Sequence, residues 1–157
     1  MNSYVQQHFD VFRQTMALRE QMLDLLMDDD LRYRLPGANP TLGELCRESG
    51  ETEYAYIQSF KTLRHDFTYR NNNPELAQSV AALKDWLSAL DADILATIEG
   101  LSEEELGRMI DRGGWSVPGG LQAHIYREAV LIFCAKASVY LKAMERTLPT
   151  QWLQWIG

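Results

Sequence analysis

Leu76-Ala77-Gln78-Ser79-Val80-Ala81-Ala82-Leu83-Lys84-Asp85-Trp86-Leu87-Ser88-Ala89-Leu90-Asp91-Ala92-Asp93-Ile94-Leu95-Ala96-Thr97-Ile98 is the stretch that decides the fold class of this 157-residue chain. Leu76, Val80, Leu83, Leu87, Leu90, Ile94 and Ile98 recur at steps of three and four. That is the period of an amphipathic helix; a half-buried strand would alternate at two. Asn71-Asn72-Asn73-Pro74 opens the stretch as a break with proline in the first helical turn, so the spacing predicts a helix from about Pro74 to Ile98.

The same period holds on both sides. Val5, Phe9, Phe12, Met16, Leu23 and Leu26 form a stripe, widened by Val11, Leu18, Met22 and Leu25, which predicts a long first helix ending near Asp28. Leu35-Pro36-Gly37-Ala38-Asn39-Pro40 is a loop by its proline and glycine. Thr41-Leu42-Gly43-Glu44 has the spacing of a capping box, in which the threonine hydroxyl and the glutamate carboxylate each take a free backbone N–H. A second helix is expected to start there, to turn Leu42, Leu45, Ser49, Thr52, Tyr56, Phe60 and Leu63 inward, and to fray between His65 and Tyr69. Ser102 and Glu105 repeat the capping spacing and predict a short helical turn through Met109. Gly113 to Gly120 reads as a flexible approach to a last long helix, from about Leu121 to Glu145, which Leu148-Pro149-Thr150 stops.

Four long helices with no strand-like alternation and no internal repeat predict an all-α, antiparallel-type four-helix bundle, one domain over residues 1–157. The long links after the first and third helices leave room for a cavity at one end, and bundles build their sites from side chains of facing helices.

Composition narrows the partners. A net charge of −7 disfavours nucleic acid and anionic membrane surfaces, both of which are recognised through concentrated Lys and Arg. Cys46 and Cys134 are 88 positions apart with no C-x-x-C, so both are expected as reduced, buried thiols. No apolar run approaches the roughly 20 residues of a membrane span, and Met1 to Gln7 lacks the basic start and apolar centre of a signal peptide. A cytoplasmic protein is expected. Trp152, Leu153, Trp155 and Ile156 should leave water, either by closing the end of their own bundle or by packing on a second subunit in a homodimer.

Several chemistries are absent. There is no Walker loop, no G-x-S-x-G elbow, no H-E-x-x-H helix, and no Glu-x-x-His pair of the di-iron bundles. His8 and His65 read as surface residues, and Glu51 and Glu53 as outward charges, although Glu51 is close enough to Glu48 to lean into the same cavity. His124 and Glu128, at i and i+4 beside the apolar run Ala129 to Ala135, are two potential metal ligands on one helix face. Tyr56, Tyr126 and Trp115 are core or rim aromatics near any pocket there.

Thr41-Leu42-Gly43-Glu44-Leu45, the tract Glu51-Thr52-Glu53-Tyr54-Ala55-Tyr56-Ile57 and the final helix from Leu121 to Met144 resemble, in order and spacing, the DinB/YfiT-like superfamily of metal-dependent bundle proteins. The resemblance implies a bundle with one metal-ligating histidine in the second helix and an H-x-x-x-H pair in the fourth, holding nickel or zinc with open coordination positions. It also implies a small, thiol-type substrate, since some relatives are S-transferases or maleylpyruvate isomerases. Carried onto this chain, the ligand positions fall at Glu48, His124 and Glu128, so only one of three histidines is kept. A Glu/His/Glu set can bind Zn, Mn or Fe and shifts preference away from Ni. Two expectations stay open: a divalent-metal-dependent transferase or isomerase, or a non-catalytic bundle that serves in binding or dimeric interaction. In the second, no metal is held, Glu48 accepts a hydrogen bond from His124, and Glu128 pairs with an arginine or faces solvent. No catalytic residue is assigned.

Overall fold

The computed structural model describes all residues, Met1–Gly157. Its long helices are α1 (Ser3–Leu23), α2 (Leu42–Thr62), α3 (Val80–Gly100) and α5 (Gly119–Ala143), with short α4 (Glu103–Gly107) and α6 (Thr150–Trp155). The chain is the expected all-α four-helix bundle. Both α1 and α2 pack on α3 and α5, which leaves α1 and α2 on one diagonal of the bundle. No helix is long and apolar enough to cross a membrane.

Capping sets the ends. Asn2 accepts from the Val5 N–H and donates to the carbonyls of Ile98 and Leu101, so one side chain starts α1 and ties it to the end of α3. The two expected capping boxes are formed, Thr41 with Glu44 and Ser102 with Glu105. The stripe of α3 is buried from Leu83 through Leu87, Leu90 and Ile94 to Ile98.

Three expectations are corrected, and one of the two readings of the tail is met. Pro74 does not start α3: Pro74–Ala77 is a separate 3-10 turn that still buries Leu76, and α3 begins at Val80 under a Ser79 cap. The glycine-rich approach to the last helix is not a flexible link. It forms a hairpin of β1 (Met109–Asp111) and β2 (Ser116–Pro118), and Gly113 and Gly114, both at positive φ, supply the turn that only glycine adopts without strain. Leu63 points out rather than in, because it closes α2 in the left-handed conformation at φ 58. The tail closes its own bundle: Trp152 is fully buried and its indole donates to the Leu18 carbonyl at 3.0 Å.

Where α2 meets the Pro74–Ala77 turn, an added Cβ on Gly43 would lie 2.1 Å from the Ala77 carbonyl oxygen. Backbone cannot yield as a side chain does, so Gly43→Ala is expected to destabilise the fold by about 3 kcal/mol, read as a lowered urea midpoint with unchanged slope.

Candidate functional site

The centre of the bundle is ionic. Arg19 of α1 and Glu53 of α2 are 2% and 0% exposed and are hydrogen-bonded across the diagonal, and the same Arg19 nitrogen, Nη2, donates to Asp91 of α3 at 2.6 Å. One cation thus joins three helices. Burial pushes the Glu53 carboxyl up to about 8 despite the opposing pull of Arg19, so Glu53 is mostly protonated at neutral pH and Asp91 balances the guanidinium. Burial, with Glu53 beside it, raises the Tyr126 hydroxyl well above its ordinary range and keeps it neutral.

Against this centre lies a cleft of about 190 Å³ between α2 and α5. Arg19 and Tyr126 form its floor, and Leu45, Ala129, Val130 and Phe133 its apolar walls. Glu48, Ser49, Thr52 and Lys136 supply the remaining polar groups. The Nε of Arg19 is buried without a hydrogen-bond partner and the buried Tyr126 hydroxyl has only the Glu53 carboxyl beside it, which is costly unless something fills the cleft and meets them. Glu48 and Thr52 also line a wider, mostly polar depression with Arg47, Glu51 and Arg70, so the cleft opens toward charged surface.

The three residues read as metal ligands are not gathered. No group of three or more His, Cys, Asp or Glu side chains is placed to hold an ion. His124 packs edge-on to Tyr4 and His8, at centroid distances of 4.9 and 4.6 Å, on the α1 side of α5, and Glu128 is exposed. At 3.6 residues per turn, His124 and Glu128 lie about 200° round α5 from Tyr126, which faces the cleft. Glu48 stands alone at the cleft mouth. The positions of α5 that do face it carry Tyr126, Ala129, Val130, Ile132, Phe133 and Lys136, none of them a good ligand for a divalent ion. Two cations and one carboxylate make a poor donor set for such an ion, so the residues present do not fit the metal that the resemblance implies.

Other assignments change as well. Glu53 is fully buried, and Glu51, 7% exposed, accepts from the Asn71 N–H at 3.0 Å with Arg47 and Arg70 beside it. His65 is not a surface residue: it is 8% exposed, stacks edge-on to Tyr56, and its Nδ1 faces the Gln122 amide at 2.7 Å and Arg112 at 3.1 Å. Gln122 accepts from Arg112 through its oxygen, so its nitrogen is the donor, and two donors on Nδ1 place the ring proton on Nε2. Burial, then Arg112, pushes His65 down to about 4, so the ring is neutral. Trp115 is rim, under the Arg112 guanidinium at 5.0 Å, and Tyr56 is core.

An all-α bundle with a cleft between its second and last long helices is thus the class that fold and site define. A family model described as the DinB superfamily matches residues 12–133, and the chain belongs to that superfamily. No curated protein matches the chain. Among solved structures it is similar to a DinB-like protein from Bacillus cereus, at 15% identity and a TM-score of 0.72 over 90% of this chain and 93% of that one. A DinB-like protein from Bacillus subtilis gives 18% and 0.68 over 89% and 96%. A mycothiol-dependent maleylpyruvate isomerase gives 14% and 0.65, over 84% of this chain and 61% of the isomerase. These likenesses are likenesses of fold.

Proposed function

We propose that this chain is a small-molecule-binding member of the superfamily that uses the α2–α5 cleft without a metal ion. The observation that carries this reading is the pair of buried donors on the cleft floor beneath apolar walls, the unpartnered Arg19 Nε and the Tyr126 hydroxyl with only Glu53 beside it. The ligand class follows from the chemistry. Two donors at the bottom suit a carboxylate or carbonyl oxygen, the walls suit a short apolar body, and about 190 Å³ is below the roughly 300–1,000 Å³ of drug-sized sites. Lys136 at the rim favours an anion.

Calorimetric titration with small apolar carboxylates tests this. Binding is expected at pH 6.5, and Tyr126→Phe, which keeps the ring and removes the hydroxyl, should weaken it about tenfold. Affinity should fall as pH rises through about 8, because Glu53 then ionises and turns the floor negative. A second reading, a metal-dependent transferase or isomerase for a small thiol conjugate, is favoured by the superfamily and by the likeness in fold to the mycothiol-dependent maleylpyruvate isomerase. It requires Glu48, His124 and Glu128 to converge. Stoichiometric binding of Zn, Mn, Fe or Ni that is lost in His124→Ala, with no carboxylate bound, would establish that reading and overturn the first.

A further inference from the structure

One face of α5 has no partner in the bundle. Leu121, Ile132 and Val139 are 46%, 57% and 52% exposed, with Ile125 half-buried and Ala143 exposed on the same stripe. The spacing is that of a helix seam, and the seam runs the length of a 25-residue helix, about 37 Å. An apolar stripe of this kind, interrupted by Glu128 and Lys136, marks an interaction site on a free surface. We infer that a second copy of this chain docks here, α5 antiparallel to α5 about a two-fold axis passing beside Ile132.

The argument for a second copy is self-complementarity, which an isologous interface requires. Under that axis a residue n positions before Ile132 meets the one n positions after it. Ile125 then meets Val139, Leu121 meets Ala143, and Ile132 meets itself. The two charges on either side of Ile132 are opposite in sign: Glu128 of one copy meets Lys136 of the other. Neither Glu128 nor Lys136 takes part in an ion pair within its own chain. Their sign pattern matches the apolar register, and a two-fold axis makes both contacts twice. Ile132 and Lys136 also line the α2–α5 cleft, so the second copy covers part of its mouth and brings Glu128 beside Lys136 there. The dimer needs no ligand in the cleft, although Glu128 of the second copy and an anion in the cleft would both draw on Lys136.

Sedimentation of the full chain over a wide concentration range should show a monomer–dimer equilibrium. Ile132→Glu should abolish the dimer while leaving helicity by circular dichroism unchanged, since the side chain is exposed. Glu128→Lys should weaken the dimer about tenfold, and adding Lys136→Glu should restore it. The axis is tested by oxidation: Ile132→Cys should form a disulfide-linked dimer readily and Leu121→Cys should not, with the native Cys46 and Cys134 buried and out of reach. A monomer at every concentration, or cross-linking at position 121 as fast as at 132, would overturn the proposal.

Discussion

Arg19→Ala is expected to lose about 3–5 kcal/mol of folding stability, among the largest single effects in this protein. The substitution removes the one cation that faces Glu53 and Asp91, and with it the link between α1, α2 and α3. Asp91, 24% exposed, is left half-buried and charged, and Glu53, at 0%, loses its guanidinium donor and keeps only the Tyr126 hydroxyl beside it. Urea unfolding at pH 7 should show the loss. The combined variant Arg19→Met, Glu53→Gln, Asp91→Asn should recover most of it, because an uncharged centre has no ion left without a partner. The pH dependence has a definite sign. Glu53 is held protonated in the folded state up to about 8, above its ordinary value of 4.5. Its contribution is therefore fully present below about 4.5 and is lost as pH rises through about 8. Glu53→Gln, uncharged throughout, should flatten the profile over that window. An Arg19→Ala variant as stable as the parent would mean that the Arg19, Glu53 and Asp91 side chains do not hold the bundle centre.

This centre explains what was legible in the sequence and what was not. The bundle was legible because apolar side chains repeat at the helical period wherever a long helix faces another, and α3 carries that signal without interruption. The capping boxes at Thr41 and Ser102 were equally plain, being local chemistry. The ionic centre is not legible in the same way, because a charged residue reads as solvent-facing unless its partner is known. Yet the signal was present: Arg19 fills the gap in the α1 stripe between Met16 and Leu23, and Glu53 falls at inward spacing between Cys46 and Phe60. A charged residue on an apolar stripe needs a partner on a facing stripe, and here two such gaps meet. His65 was missed for a different reason. Its partners Arg112 and Gln122 arrive from the hairpin and the start of α5, and no spacing along the chain announces a contact across 47 or 57 positions. Helix phase keeps the expected ligand trio apart: His124 and Glu128 do share a face of α5, but the face toward α2 is the one bearing Tyr126. A period shows which residues lie together on a helix; which neighbour they face is a property of the assembled bundle.

Trp152→Ala is expected to cost a further large amount, about 3–5 kcal/mol. Trp152 is the largest fully buried side chain, held in α6 against α1, with its indole on the Leu18 carbonyl and the adjacent Gln151 bonded to Gln21 at 2.7 Å. Truncation opens a cavity at the end of the bundle and releases the tail, so Trp155 and Ile156, now packed on the core, lose their contacts too. Trp152→Phe separates the two contributions. It keeps most of the ring and loses only the hydrogen bond, and the Leu18 carbonyl still serves the backbone of α1, so the cost should be about 1 kcal/mol. Thermal unfolding at several protein concentrations identifies which surface the tail covers. If it closes its own bundle, the Trp152→Ala loss is the same at every concentration and unchanged in an Ile132→Glu background, because the two sites share no contact. A loss that vanished on dilution would instead place Trp152 in a subunit interface, and would transfer to α6 the docking role that the exposed stripe assigns to α5.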